Sequence, residues 1–84
     1  MIERIACGDE VDAEILEILY EGGSRGVLPK DVSARLGSYG VRRHQVTRRI
    51  QRMNRRMEKD IDERLVETRG WHWVLTGFGF EVWG

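Results

Sequence analysis

Apolar residues in the first half of the chain recur three and four positions apart, the spacing that places them on one face of a helix. The first group is Val11, Ile15, Leu16, Ile18 and Leu19. Acidic residues crowd the start of this segment, where they interact favourably with the helix dipole, and Gly22-Gly23 ends it. The pattern predicts a first helix over residues 9–22.

Pro29 indicates the start of a second, shorter helix, because proline is favoured at the first helical position. Gly37 closes this segment, which predicts a helix over residues 29–36. Its apolar residues are Val32, Ala34 and Leu36. The pair Val27-Leu28 just before it has the character of a very short strand.

The third apolar group lies in a strongly basic segment, VRRHQVTRRIQRMNRRM. Val46, Ile50, Met53 and Met57 form one stripe of a helix, and seven arginines occupy other positions, at 42, 43, 48, 49, 52, 55 and 56. The pattern predicts a helix over residues 42–58. Only the short turn GSYGV separates it from the second helix.

Alternating apolar and polar residues in LVETRGWHWVLT predict a β-hairpin over residues 64–76. With Arg69 and Gly70 as the loop, Thr68 would face Trp71, and Val66 would face Trp73. A lone hairpin is not stable, so one side must lie on the helices. The aromatic tail, residues 77–84, suits a single helical turn capped by Thr76. At the other end, Ile2 and Ile5 fit either a strand or a helical turn.

Charge is distributed unevenly along this chain of 84 residues, although its formal net charge is zero. Between Met1 and Glu21 there are seven acids and one arginine, whereas the third helix is densely basic. The length suits one small domain, covering residues 1–84, with little room for an enzyme pocket. The asymmetry favours a molecule with one basic face.

Several classes of function receive no support from the residue pattern. Cys7 is the single cysteine, so one chain forms neither an intrachain disulfide nor a cysteine-based zinc site. His44 and His72 have no second ligand at metal spacing, and no catalytic constellation or phosphate loop is present. We therefore expect no enzyme activity, cofactor, metal or small-molecule substrate. The lack of a signal peptide or long apolar run predicts a cytoplasmic protein without a membrane partner.

The order helix, short strand, helix, turn, basic helix and hairpin resembles that of winged helix-turn-helix domains. The segments VDAEILEIL, LPKDVSARLGSYGVRRHQVTRRIQRM and ERLVETRGWHWVLTGFG look like archaeal winged-helix repressors, including those related to the phage phiH repressor. The resemblance covers roughly Val11 to Gly79. It implies an α+β fold with a three-helix core and a C-terminal β-hairpin wing. It also implies a transcriptional regulator, repressor-like, whose partner is double-stranded DNA. Arg42 stands where these domains commonly place a capping serine or threonine.

The resemblance also assigns roles to individual side chains, because the first turns of a recognition helix enter the major groove. The implied base-reading residues are Arg43, His44, Gln45, Thr47 and Arg48. The implied phosphate contacts are Lys30, Ser33, Arg42, Arg49, Arg52, Arg55 and Arg56. Arg69 on the wing would enter the minor groove or meet a phosphate. The alternative is a solvated arginine-rich surface that the acidic first helix neutralises.

Three uses are considered for the C-terminal aromatic residues, and the first two are core packing and a subunit interface. These residues are Trp71, Trp73, Phe78, Phe80 and Trp83. The interface candidates are Phe78, Phe80, Val82 and Trp83. One small domain buries limited DNA surface, so we expect a homodimer on paired half-sites. Stacking of the aromatic rings on single-stranded bases is a third use. Two alternatives to DNA binding stay open: a protein-interaction winged helix in a transcription or replication assembly, and an RNA-binding winged helix.

Overall fold

The computed structural model describes residues 6–83, and four α-helices and two β-strands follow one another from residue 10 onward. The helices are α1 (Glu10–Gly22), α2 (Pro29–Arg35), α3 (Arg43–Ile61) and α4 (Gly77–Trp83). The strands are β1 (Val66–Arg69) and β2 (His72–Leu75). Short 3-10 turns follow α1 at Gly23–Arg25 and α2 at Gly37–Tyr39. The predicted α+β class is confirmed, while the expectation for Ile2 and Ile5 lies outside the described residues.

The first helix is confirmed with the apolar face that its spacing predicts. Asp9 caps it, because one carboxylate oxygen accepts hydrogen bonds from the N–H groups of Val11 and Asp12, both at 3.1 Å. Gly23, with a φ of 62°, follows its last residue. The buried apolar residues of the helix are Val11, Ile15, Leu16, Ile18 and Leu19.

The second helix ends at Arg35, one residue before its predicted end. Val32 and the following Leu36 are fully buried, as expected, but Ala34 is exposed. Positions 32 and 36 are four residues apart and share a helix face, whereas position 34 falls two residues from each and points away. Ala34 is therefore an apolar residue of this helix that lies outside the core.

The third helix begins after Arg42 and continues to Ile61, three residues beyond the predicted end at 58. Its predicted stripe of Val46, Ile50, Met53 and Met57 is buried throughout. No glycine or proline interrupts the chain after Met57, so the helix continues until Asp62 adopts a left-handed conformation with φ 63°. At the other end, the side chain of Gln45 accepts a hydrogen bond from the Arg42 N–H at 2.8 Å. This contact supplies one half of a capping box without a serine or threonine.

The hairpin is present, but its loop lies one residue later than predicted, so each cross-strand partner is shifted by two residues. The cross-strand pairs are Val66–Leu75, Glu67–Val74, Thr68–Trp73 and Arg69–His72. Gly70 and Trp71 therefore form the loop, and Gly70 adopts a φ of 65°. A loop of Arg69 and Gly70 would require positive φ at the arginine as well, which costs energy for any residue with a Cβ. The observed register needs positive φ only at glycine.

We expect Gly70→Ala to lower the free energy of unfolding by about 1 kcal/mol, because alanine is strained at this positive φ. A Cβ at Gly70 would meet no atom within 4 Å, so this variant tests the strain of the backbone conformation without a steric clash. Gly77→Ala is the matched control, since that position is equally open and its φ is not positive. Urea unfolding should show Gly77→Ala to be neutral or slightly stabilising. Equal losses in both variants would contradict the conformational explanation.

Two groups of hydrogen bonds, one on each side, attach the hairpin to neighbouring elements. The N–H and C=O of Trp73 each form a 2.9 Å hydrogen bond with Val27, so the chain before α2 pairs with β2. On the other side, the amide group of Asn54 on α3 makes three hydrogen bonds to the backbone of Leu65 and Val66. The hairpin is thus fixed in place between the start of α2 and the middle of α3.

The aromatic tail forms α4, which is longer than the single turn predicted for it. The hydroxyl oxygen of Thr76 accepts a hydrogen bond from the Gly79 N–H at 2.9 Å, so the predicted cap is confirmed. The ring of Phe80 lies 5.9 Å from that of Tyr20, and Trp83 Nε1 donates to Glu17 at 3.0 Å. All four interface candidates pack partly against the core. Their use in a homodimer stays a prediction, and residue 84 lies outside the described chain.

Candidate nucleic-acid interface

The arginines of α3 form two groups, one beside the buried stripe and one on the side of the helix that faces solvent. Arg49 and Arg56 are seven residues apart. Arg49 contacts the start of α1, and Arg56 contacts Ala6 in the segment just before it. Arg48, Arg52 and Arg55 are exposed to solvent. Because seven residues are close to two helical turns, one neighbouring stretch of chain can engage both arginines of the first pair.

Arg49 is held by two acids at the start of α1. Its Nη1 lies 2.8 Å from Asp9 Oδ1 and 3.0 Å from Asp12 Oδ1. Asp12 is only 1% exposed, and its second carboxylate oxygen accepts a hydrogen bond from the Gly8 N–H at 2.8 Å. The buried carboxylate is therefore both ion-paired and hydrogen-bonded, as a buried charge requires.

This cluster shifts two pKa values in opposite directions. Burial alone would lower the pKa of Arg49, but its hydrogen bonds and attraction to Asp12 and Asp9 raise the pKa above its ordinary value. Burial alone would raise the pKa of Asp9, but the backbone N–H of Asp12 and the guanidinium of Arg49 lower it below its ordinary value. Arg49 and Asp9 are accordingly both ionised around neutral pH.

Arg56 also has an intramolecular partner, because its Nη1 donates to the carbonyl oxygen of Ala6 at 3.2 Å. Arg49 and Arg56 were both predicted to contact phosphates. In the structure they instead join α3 to the start of α1 and to the residues just before it, so we remove them from the candidate phosphate contacts. The alternative, neutralisation by the acidic first helix, describes Arg49, which pairs with Asp9 and Asp12. Arg56 bonds to a backbone carbonyl oxygen instead.

The outer face of α3 consists of the exposed residues His44, Arg48, Gln51, Arg52, Arg55 and Lys59. They recur every three or four positions and extend along about 22 Å of helix. Within residues 6–83, no ion pair is made by the four cationic residues of this face, Arg48, Arg52, Arg55 and Lys59. Arg42 and Arg43 are likewise exposed with no acidic partner in this part of the chain. These arginines are therefore available to an anionic ligand.

The five predicted base-reading residues do not all lie on the outer face. His44 and Arg48 belong to it, and Arg43 is exposed beside them. Gln45 is exposed, but its side-chain oxygen is engaged by the Arg42 N–H. Thr47 is half-buried and lines the cleft between α3 and the hairpin, with its hydroxyl 3.4 Å from the carbonyl oxygen of Arg43.

Lys30 and Ser33 lie on α2, which packs against α3. Lys30 is exposed and makes no ion pair with a described residue. The hydroxyl of Ser33 donates to the carbonyl oxygen of Lys30 at 3.0 Å, which leaves its oxygen lone pairs as acceptors. Of the two, Lys30 is the side chain with a free charge for a phosphate, and both assignments stay predictions.

Two exposed residues near the basic surface were not singled out from the sequence. Gln51 lies between Arg48 and Arg55 on the outer face, and helical spacing alone could have identified it. Tyr39 lines a cleft of about 340 Å³ together with Arg48 and Arg52, which depends on how the turn before α3 packs. Trp71 was identified as one of the C-terminal aromatic residues, but its position at the hairpin tip follows only from the observed register.

Arg69 lies at the end of β1, one residue before the loop. Its guanidinium contacts the carbonyl oxygen of Ser24 at 3.4 Å and the carboxylate of Glu67 at 3.5 Å. The side chain remains mostly exposed, so these contacts orient it beside the tip without enclosing it. Trp71, rather than Arg69, forms the outermost part of the hairpin.

Other kinds of site are not found in residues 6–83. No group of three or more His, Cys, Asp or Glu side chains there is arranged to hold a metal ion. No helix in the same part of the chain is both long and apolar enough to span a bilayer. Comparison with known protein families, with curated protein sequences and with solved structures finds no match to this chain.

Proposed function

We propose that this protein is a winged helix-turn-helix protein that binds double-stranded DNA with sequence preference through the outer face of α3. One observation carries the proposal: a row of arginines that have no acidic partner stands on a helix whose remaining arginines are internally paired. Unpaired guanidinium groups at helical spacing suit phosphate oxygens and guanine edges. The order α1, α2, α3 and hairpin supports the winged-helix assignment.

Within this proposal, the outer face divides by position along α3. Arg43, His44, Arg48 and Gln51 are the residues proposed to read base edges, because they occupy the first turns and point outward. Phosphate contacts fall to Arg42, Arg52, Arg55 and Lys59, with Lys30 and Ser33 on α2. The first group sets which sequences are preferred, and the second supplies affinity that depends on salt.

The proposed biological role is transcriptional regulation in the cytoplasm, with repression as the expected mode. A helix of this length covers one half-site, so a homodimer would read two half-sites related by two-fold symmetry. The half-buried aromatic residues of α4 are the proposed subunit interface. A partner-protein adaptor would not need an outer face rich in unpaired arginines, which is why DNA binding is preferred.

The test is a titration of the protein with duplex DNA of random sequence at several salt concentrations. Release of counterions predicts a log–log slope of about −3.6 to −5.4, since about four to six phosphates would be neutralised. Arg55→Gln should reduce the magnitude of the slope by about one unit. Arg35→Gln is the matched control, because Arg35 is exposed on α2 but already paired with Glu21 at 2.8 Å. It should leave the slope nearly unchanged.

A flat salt dependence, or no binding at low salt, would refute DNA binding. Competition with RNA duplexes of the same length separates the RNA alternative, which predicts stronger competition by RNA. Selection of bound sequences from a random duplex pool then tests preference and symmetry together. A palindromic consensus is expected, and a pool without enrichment would leave only backbone binding.

A further inference from the structure

Trp71 is the most exposed large apolar side chain in the described part of the chain. Its exposure is 85%, whereas the next three, Tyr20, Tyr39 and Ile61, are 41–44% exposed. A tryptophan in open solvent loses the favourable burial of a large aromatic surface. The two-residue loop and the antiparallel strands hold it at a fixed, protruding position.

Two arginines lie near the hairpin tip that carries this tryptophan, and one of them, Arg69, is also 3.5 Å from the carboxylate of Glu67. Arg69 precedes the loop, and its contact with Ser24 brings the 3-10 turn at Gly23–Arg25 beside the tip. Arg25 on that turn is exposed and makes no ion pair with a described residue. Its neighbour Gly26 is so close to β2 that a Cβ there would lie 3.0 Å from the Cβ of His72. The tip therefore combines an apolar ring with positive charge, which is complementary to an anionic partner that offers apolar stacking surfaces.

The hairpin points toward the end of α3 that carries the proposed base-reading residues. Asn54 contacts Val66 at the start of β1, and Thr47 lines the same cleft as Thr68 further along the strand. β1 thus runs antiparallel to α3, and the tip lies near the N-terminal end of that helix. A duplex lying on the outer face of α3 would continue past this tip.

We propose that Trp71 inserts into the minor groove of the DNA bound by α3 and wedges part of its indole ring between two base pairs. This inference rests on the proposed function and assigns a DNA-kinking role to the hairpin tip. Apolar side chains that enter the minor groove unstack a base step and kink the duplex by about 20–90°. Arg25 and Arg69 hold the flanking phosphates, and a flexible TA step lowers the cost of the kink.

The test uses two end-labelled duplexes of equal length and base composition, with and without a central TA step. Energy transfer between the labels reports the kink, and tryptophan fluorescence reports stacking. The full-length protein should shorten the end-to-end distance of the TA duplex and lose Trp71 emission on binding. Trp71→Ala should bind this duplex about 5- to 100-fold more weakly, without the kink and with the same salt slope.

Ile61→Ala is the matched control, since Ile61 is also an exposed large apolar residue but lies at the C-terminal end of α3, and it should leave the kink unchanged. Trp71→Ala should unfold at the same urea concentration as the unaltered protein because position 71 is exposed. If the protein binds both duplexes with a steep salt slope but Trp71→Ala changes neither affinity nor distance, the wedge is refuted and DNA binding stands. If neither duplex binds, the proposed function itself fails. Burial of Trp71 by phosphatidylserine vesicles without a response to DNA would assign the tip to a lipid surface and overturn the wedge.

Discussion

Replacing Asn54 with alanine is expected to lower the free energy of unfolding by about 3 kcal/mol. The Asn54 side chain donates from Nδ2 to the carbonyl oxygen of Val66 at 2.9 Å. Its Oδ1 accepts from the N–H groups of Leu65 and Val66, both at 3.0 Å. Leu65 and Val66 are buried, so water cannot easily replace these bonds. Each backbone group left unpaired in the interior costs about 1–3 kcal/mol.

Equilibrium unfolding in urea measures this loss. Gln51→Ala is the matched control, because Gln51 lies one turn earlier on α3 and is exposed, and it should change stability by less than about 0.5 kcal/mol. Asn54→Asp keeps the accepting oxygen but removes the donor, so it should give an intermediate loss near neutral pH. A loss below about 1 kcal/mol for Asn54→Ala would show that water enters and satisfies the backbone of β1.

Asp12→Ala is expected to be similarly destabilising, by about 2–4 kcal/mol. Removing this carboxylate takes away the closest buried partner of Arg49 and the acceptor of the Gly8 N–H. Breaking a buried ion pair by removing one member commonly costs about 3–5 kcal/mol. The expected value is somewhat lower here, because Arg49 is 24% exposed and retains Asp9.

Glu10→Ala is the control for Asp12→Ala, since Glu10 is an exposed acid in the same turn of α1. Urea unfolding should show a loss below about 1 kcal/mol for it, from the helix dipole alone. The double variant Asp12→Ala with Arg49→Met should recover part of the loss, because no unpaired charge remains. Equal effects of Glu10→Ala and Asp12→Ala would mean that the cluster does not hold α1 against α3.

The helices could be predicted from the sequence because burial of one face imposes its own periodicity. Ile15 on α1 and Ile50 on α3 are buried for this reason, and neither position depends on knowing its neighbour. The hairpin register was harder, since moving the loop by one residue shifts each cross-strand partner by two and so keeps the same residues on the same face. Gly70 favours the observed loop, because glycine adopts the positive φ of the first loop position without strain, whereas Arg69 would not.

The division of the arginines could not be predicted in the same way. Arg48 and Arg49 are adjacent in sequence and chemically identical, yet only Arg49 meets the acids of α1. That difference arises from the packing of two helices whose contacting residues are 37 to 40 positions apart. The sequence identified the basic helix, and the structure separates the arginines that build it from those available to a ligand.

The contacts that anchor the hairpin also limit how this protein can associate with copies of itself. The Thr76 N–H donates a hydrogen bond to the Leu65 carbonyl oxygen across the hairpin. Because hydrogen-bonded and non-hydrogen-bonded pairs alternate along antiparallel strands, the N–H and C=O groups of Val66 and Thr68 face away from β2. The side chain of Asn54 already bonds to the N–H and C=O of Val66. On the outer edge of β2, Val27 bonds to the N–H and C=O of Trp73. A second chain adding a strand to β1 would find open pairing groups only at Thr68. This arrangement disfavours sheet extension between molecules and the aggregation that follows from it, so self-association is directed to side-chain contacts between folded subunits.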